Sequence, residues 1–340
     1  MNREMLIPWL VGHGVRSFRA DQILKWVYMR LADDFDQMSD ISKNLRSLLE
    51  YHYCIARLPV QKLQTAEDGT RKYLFALADG NSIETVLIPE RNHYTLCVSS
   101  QVGCAMGCRF CVTGQGGLVR NLTAAEIITQ VWEVRKLVPD PERLTNLVFM
   151  GMGEPLANYD NLVAAIEALT STEWGMKIAN RRVTVSTAGL APRIADLGRD
   201  TKVNLAISLN AVDDASRARL MPINRKYPIQ TLLEACRQYP LPKGRRITVE
   251  YILFKDLNDS VDQARKLAKL LAPVKAKINL IPFNAYPGGP FQRPDERAIT
   301  AFQEVLLDKH LTSVVRYSKG LDIMAACGQL RAGTSDGLSP

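Results

Sequence analysis

The sequence predicts an α/β protein: a partial barrel of six strand-helix units, (β/α)6, preceded by a small helical domain and a β-hairpin extension. Three observations carry that expectation. From about residue 94 onward, short apolar runs alternate with stretches of helical periodicity, the pattern of a parallel sheet covered by helices. Six such units in about 230 residues suit a partial barrel, whereas a closed eight-stranded one would be cramped. The glycine-rich and polar motifs fall directly after the expected strands, at the end of a parallel sheet where sites are built.

Residues 1–55 read as a helical accessory domain. Phe18, Ile23, Leu24, Trp26 and Val27 keep helical spacing with Asp21 in the first turn, and Ser39-x-x-Ser42-x-x-Leu45 leads into a second amphipathic segment. Residues 56–93 form the extension. There Lys72–Ala78 and Ser82–Ile88 are β-rich and flank Asp79-Gly80-Asn81, a hairpin signal, after a turn at Glu67-Asp68-Gly69. The barrel is expected over 94–320, with strands at Thr95–Ser99, Leu147–Met150, Arg182–Ser186, Val203–Leu209, Thr248–Phe254 and Lys277–Pro282, and a further one at Ser313–Tyr317. Helical periodicity covers Ala124–Leu137, Leu162–Leu169, Ile229–Arg237, Val261–Leu271 and Arg297–Leu306. Thr123, with Glu126 three residues on, forms a capping box that opens the first of these. Residues 321–340 close the chain as a C-terminal segment.

Composition bounds the class. Apolar residues make up 46% of the chain and charged residues 23%, ordinary for a globular protein. The longest apolar runs, such as Ile278–Phe283, are far short of a membrane span, so no membrane partner is expected. No signal-peptide core opens the chain, and a cytoplasmic location is expected. Net charge is +8, and residues 1–95 hold 12 cationic and 12 acidic side chains, so the whole excess lies in the barrel portion. A basic face suits a polyphosphate partner. Arg109, Arg120, Arg181, Arg182, Arg225, Lys226 and Arg316 are candidates for phosphate contacts around the barrel mouth.

Seven cysteines occur. Cys104-Ala-Met-Gly-Cys108-Arg-Phe-Cys111 sets three thiols four and then three residues apart in a glycine-containing turn. Four thiolates would close a four-iron cluster, whereas three leave one iron open for chemistry. A structural zinc site wants a fourth ligand, and neither a second cysteine pair nor a nearby His supplies one. A disulfide would leave an odd thiol and need an oxidising compartment. Cys54 and Cys236 sit in apolar helical contexts and read as core thiols. Cys97 and Cys327, on their residue type alone, fit the role of small buried hydrophobes.

The three-thiol motif resembles the signature of radical S-adenosylmethionine (SAM) enzymes. Its companions are Leu96-Cys97-Val-Ser-Ser-Gln-Val-Gly103, Arg120-Asn-Leu-Thr123, Gly151-Met-Gly-Glu154-Pro155 and Ala325-Ala-Cys327-Gly-Gln-Leu330. Together they resemble the RlmN/Cfr family of RNA adenosine methyltransferases, from about Phe18 to Leu330.

The resemblance implies a radical SAM barrel holding one 4Fe-4S cluster on Cys104, Cys108 and Cys111. It implies that S-adenosyl-L-methionine is bound by Gly153, Glu154, Ser186, Ser208, Leu209, Asn210 and Asn284. Asn210 departs from the His more common at that position. C2 of adenine is electron-poor and attacks no methyl donor directly, whereas a thiolate does. By resemblance, Cys327 takes a methyl from one SAM, and a radical cut from a second SAM removes a hydrogen from it. The resulting carbon radical adds to adenine, Glu84 removes the C2 proton, and Cys97 resolves the adduct as a disulfide. The implied partners are ribosomal RNA, some tRNAs, a one-electron donor such as flavodoxin and a cellular thiol reductant. A C8 methyltransferase of the antibiotic-resistance branch stands as one alternative, and a nonenzymatic RNA-binding iron-sulfur protein as another.

Overall fold

The computed structural model describes residues 3–331, so residues 332–340 of the expected C-terminal segment lie outside the described residues. The chain opens with α1 (Arg3–Gly12), α2 (Arg19–Tyr28) and α3 (Lys43–His52). α2 buries Ala20, Ile23, Leu24 and Tyr28 along one stripe. The Ser42 hydroxyl accepts the Leu45 N–H and caps α3, which buries Leu45 and Leu49. Cys54 lies just beyond α3, where the chain turns extended, and is exposed rather than packed in a core.

Three antiparallel strands follow: β1 (Val60–Thr65), β2 (Arg71–Ala76) and β3 (Ser82–Pro89). β2 and β3 are the expected hairpin. β1 was not foreseen, because Val-Gln-Lys-Leu-Gln-Thr shows no apolar alternation, and it stands as a largely exposed edge strand. β3 pairs with β4 (Tyr94–Cys97), setting Val86 opposite Cys97. The extension therefore continues the barrel's own sheet. A small ribbon of β5 (Gln101–Gly103) and β6 (Leu118–Asn121) comes next, with α4 (Val112–Gln115) between its strands and α5 (Ala124–Leu137) after it. The Thr123/Glu126 capping box is complete.

The remaining elements run β7 (Leu144–Phe149), α6 (Tyr159–Thr170), β8 (Val183–Thr187), α7 (Ala191–Asp200), β9 (Asn204–Ser208), α8 (Asp214–Leu220), α9 (Ile229–Gln238), β10 (Ile247–Leu253), α10 (Val261–Leu271), β11 (Ala276–Pro282), α11 (Glu296–Asp308) and β12 (Ser313–Val315). The sheet order is β1-β2-β3-β4-β7-β8-β9-β10-β11-β12, and β4 through β12 of that order are parallel. Leu205, Ala206 and Ile207 are all buried, as expected of parallel strands covered on both faces. α7 escaped the periodicity because Pro192 and Gly198 interrupt it. The proline sits in the first turn, where its missing N–H is harmless. Gly198 packs so near Pro240 that a Cβ would lie 2.4 Å from its Cδ. Among the described residues no helix is long and apolar enough to cross a membrane.

The helical domain docks on α5. Trp132 donates its indole N–H to the Val27 carbonyl at 3.0 Å, Arg57 forks onto Glu133 at 2.7 and 3.2 Å, and Lys136 meets Asp33 at 2.5 Å. On its other side α5 sends the fully buried Gln130 into the corner after β4. The Gln130 side-chain oxygen accepts from the Thr85 hydroxyl (2.8 Å) and the Ser99 N–H (2.9 Å), and its amide donates to the Ser99 carbonyl (3.0 Å). One side chain thus fixes the point where strand becomes active-site loop. Gln130→Leu keeps the volume but leaves these partners unpaired in the core. The expected loss is about 2–4 kcal/mol in urea unfolding, with a similar m-value.

Candidate active site

The motifs gather at the carboxyl ends of the parallel strands. The three-thiol loop follows β5 rather than β4, and the ribbon with β6 pins its start through Cys104 N–H donating to the Gly117 carbonyl at 2.7 Å. Cys104 and Cys108 are buried and Cys111 half-buried. All three line a cavity of about 150 Å³ whose opposite wall includes Gly151, Gly153, Glu154, Ser186 and Ser208. Burial pushes the Cys104 thiol up to about 12 and raises Cys108 and Cys111 as well.

Gly153 sits at φ +103, and a Cβ there would meet the Gln101 side chain at 2.6 Å, so the loop after β7 lies directly on β5. Gln101 returns the contact, its oxygen accepting the Glu154 N–H at 2.8 Å. Glu154 is enclosed and accepts from the Leu156 N–H (3.1 Å) and the Ala188 N–H (2.7 Å). Burial nonetheless lifts its carboxyl to about 7. A cation beside it would restore its charge.

A second cavity of about 340 Å³ lies behind the first and is lined by both Cys97 and Cys327. Met150, Glu250, Ile281 and Cys327 line both cavities and form the wall between them. Cys327 opens onto this space, and the protein around it pushes its thiol up to about 11, with the Glu250 charge adding to the effect and Arg316 opposing it. Cys97 is buried, and desolvation raises its thiol further. The C-terminal segment is tied to the thiol loop: Val112 N–H donates to the Gly328 carbonyl (2.7 Å) and the Thr113 hydroxyl to the Leu330 carbonyl (2.6 Å).

Glu84 is buried. One carboxylate oxygen meets Lys72 Nζ at 3.1 Å and the other accepts the Arg331 N–H at 2.7 Å. Lys72 also donates to the Met324 carbonyl, so this ion pair lies under the segment that carries Cys327. Of Ser208, Leu209 and Asn210, Ser208 alone reaches the cavity wall. Asn210, at φ +59 and fully buried, accepts the Ile252 N–H at 2.8 Å and packs its amide on Met221 sulfur. Asn284 donates to the Ser318 hydroxyl at 2.8 Å and keeps its buried oxygen without a partner, outside both cavity walls.

Among the basic candidates, Arg109, Arg225 and Lys226 are exposed near the thiol loop and Arg316 faces the second cavity. Arg120 does not belong with them, because its guanidinium is held by Asp79 (2.5 Å) and Glu126 (2.8 Å). Arg181 and Arg182 precede β8 and so sit at the amino ends of the strands, opposite the site. Sequence reasoning missed Arg217 and Glu250. Arg217 is fully buried and donates to the carbonyls of Ala188, Ser208 and Leu209 and to Asn224 Oδ1, at 2.7–3.1 Å. On sequence it is one more arginine, in a segment with no expected element, and gives no signal. Glu250 did give one, a lone charge within the apolar strand Ile-Thr-Val-Glu-Tyr-Ile-Leu.

Comparison with known proteins gives the same picture. Residues 1–55 match the ribosomal RNA large subunit methyltransferase N-terminal domain, and residues 98–268 match the radical SAM superfamily. The dual-specificity RNA methyltransferase RlmN of Desulfosudis oleivorans is 54% identical over 332 residues, covering 98% of this chain and 90% of that protein. The one from Geobacter sulfurreducens is 52% identical, covering 99% and 92%. A crystal structure of a radical SAM methyltransferase from Sphaerobacter thermophilus superposes with a TM-score of 0.91 at 45% identity, covering 98% of each chain. The chain therefore belongs to the radical SAM superfamily and, within it, to the RlmN family of dual-specificity RNA methyltransferases.

Proposed function

We propose that this enzyme methylates C2 of an adenosine in 23S ribosomal RNA and of an adenosine of the position-37 type in some tRNAs. The observation that carries the reading is the pair Cys97 and Cys327 on one cavity, with Cys327 also bordering the cavity of the three-thiol loop. A methyl carried on that sulfur would stand between cofactor and substrate. The residues fit the cofactors. No three described His, Cys, Asp or Glu side chains close on a single metal ion. A four-iron cluster would instead be held by one thiolate each from Cys104, Cys108 and Cys111, all three of which line one cavity. Glu154, lifted by burial, suits the ammonium of SAM, and Gly153, Ser186 and Ser208 offer polar contacts on the same wall. Leu209 and Asn210 would act through the frame of that wall, and Asn284 through its unpartnered oxygen.

Bound here, the cluster and SAM supply hydrogen-abstracting radical chemistry. The chain's own residues do the rest. Cys327 holds the methyl group, and Glu84, paired with Lys72 at 3.1 Å, accepts the C2 proton once the C-terminal segment yields its Arg331 bond. Cys97 then attacks the Cys327 sulfur, which releases the RNA and leaves a disulfide for a thiol reductant. Arg109, Arg225, Lys226 and Arg316 would hold phosphates around an adenine splayed from its stack. We also read residues 1–55 as an accessory unit and 56–93 as an extension that brings Glu84 to the site.

The reading is tested by anaerobic incubation of cluster-loaded protein with ribosomal and transfer RNA fragments. Nucleoside mass spectrometry should find 2-methyladenosine. Methylation at C8 would place the enzyme in the other branch, and no methylated base at all would refute the assignment. Cys108→Ala should stop SAM cleavage altogether.

Glu84→Gln keeps the shape of the side chain but cannot take a proton. It should still load a methyl on Cys327 yet lower product release by about 100-fold or more. Normal product yield would reduce Glu84 to a structural ion-pair partner of Lys72.

Cys97→Ala should stall with RNA covalently attached to Cys327. On a denaturing gel, protein purified from cells should show a shifted band that collapses on ribonuclease treatment and vanishes when Cys327 is also replaced. A folded, cluster-loaded variant without that band would remove the resolving role of Cys97.

A further inference from the structure

We propose that Glu250 is the proton acceptor for the Cys327 thiol when that sulfur takes its methyl group; this rests on reading Cys327 as the methyl carrier. Glu250 stands in the middle of β10, in register with Ser208 of β9 and Asn279 of β11, and is only 7% exposed. A buried carboxylate in an apolar strand is costly unless it is paired and hydrogen-bonded. Of the four residues that form the wall between the cavities, two are hydrocarbon or thioether, Ile281 and Met150, and two are chemically active, Glu250 and Cys327.

The other acceptors near this wall are already committed. Glu84 is held by Lys72 and the Arg331 N–H, Glu154 by the Leu156 and Ala188 N–H groups, and Glu90 pairs with Lys319 at 3.3 Å. Cys97 is a deeply buried thiol. Glu250 gives one oxygen to Asn279 Nδ2 at 2.9 Å, and its other oxygen has no hydrogen-bond partner among the described residues. The charged groups that face it are Arg316 and Lys277, which favour its ionised form, and burial outweighs them so that its pKa stands above the ordinary carboxyl value. That makes it a stronger base than an exposed glutamate. A thiol is mostly protonated near neutrality and the surroundings of Cys327 raise it further, so its proton must leave as the sulfur attacks.

The step balances. The S–H bond breaks and its electron pair forms the new S–CH3 bond. The methyl's bond to the sulfonium sulfur of the donor breaks with its pair remaining on that sulfur, and the proton ends on Glu250. A cation and an anion become three neutral groups, which a low-dielectric wall favours.

The test uses full-length, anaerobically prepared, cluster-loaded protein given SAM without reductant or RNA, with methyl on Cys327 read by peptide mass. A parallel arm omits SAM and measures iodoacetamide alkylation of Cys327. In wild type both rates should stay nearly level from about pH 7 to about pH 9, because the proton passes to an internal base. Glu250→Gln should be about 100-fold slower at pH 7, and its rate should climb about tenfold per pH unit as solvent takes the proton instead. Glu250→Asp, with a carboxylate one methylene shorter, should recover part of the rate and the level profile; it also serves if the Gln variant fails to fold. A Glu250→Gln rate at pH 7 equal to or faster than wild type would show that Glu250 acts only as a like charge on the thiol, and would overturn the proposal. If wild-type Cys327 takes no methyl from SAM, the carrier reading fails, and the alkylation profiles still decide the role of Glu250.

Discussion

The geometry of the site depends on two hydrogen bonds that join residues more than two hundred positions apart in the chain. Val112 and Thr113, directly after the third thiol of the loop, hold the carbonyls of Gly328 and Leu330. Each is worth only about 1 kcal/mol net. They matter because they fix a segment that belongs to no strand or long helix. Without them Cys327 would have no fixed relation to the cavity of Cys104, Cys108 and Cys111, or to Cys97 on β4. Lys72 and Glu84 close the same segment from the other side, through Met324 and Arg331. Cys327 is thus held on a short loop tethered from both sides, outside the strands of the barrel.

The opposite wall depends on a different device. Loops after β8 and β9 present their carbonyls inward, where water is scarce and unpaired acceptors are costly. Arg217 satisfies three of these carbonyls with one planar fork, and burial lowers its pKa to about 10 without discharging it at neutral pH. A lysine could not span them, since its donors radiate from one atom. The same arginine contributes positive charge near Cys108, which favours the thiolate form. One buried cation therefore shapes the wall and helps prepare the thiols opposite.

How much of this was legible follows from what each residue depends on. The parallel strands, the hairpin β2–β3, the capping box at Thr123 and the placement of motifs at strand ends depend on local periodicity, and the sequence displays them. β1 does not, since an exposed edge strand is set by its partner β2 and not by its own pattern. The phosphate candidates fail for the same reason. A count of cations carries no direction, so Arg181 and Arg182 read like rim residues although they precede their strand. Arg120 reads as free although Asp79, far back in the hairpin, has neutralised it. Asn210 looked like a ligand contact, and its left-handed backbone turns the side chain into the frame.

On the proposed mechanism two of the buried carboxylates, Glu84 and Glu250, divide the acid-base demands of the reaction. A methyl group moved from a sulfonium to a thiol and then to an aromatic carbon releases two protons, one from sulfur and one from carbon. These differ in what they ask of a base. The thiol proton leaves before RNA is engaged, inside the wall, and suits a carboxylate whose pKa is raised by burial as Glu250's is. The C2 proton would instead pass to Glu84, whose carboxylate is paired with Lys72 at 3.1 Å. A close ion pair would weaken Glu250 as a base toward sulfur, whereas Arg316 and Lys277 only partly offset its burial. Glu84 and Glu250 stand on different strands, β3 and β10, the first holding the C-terminal segment at Arg331 and the second forming part of the wall beside Cys327.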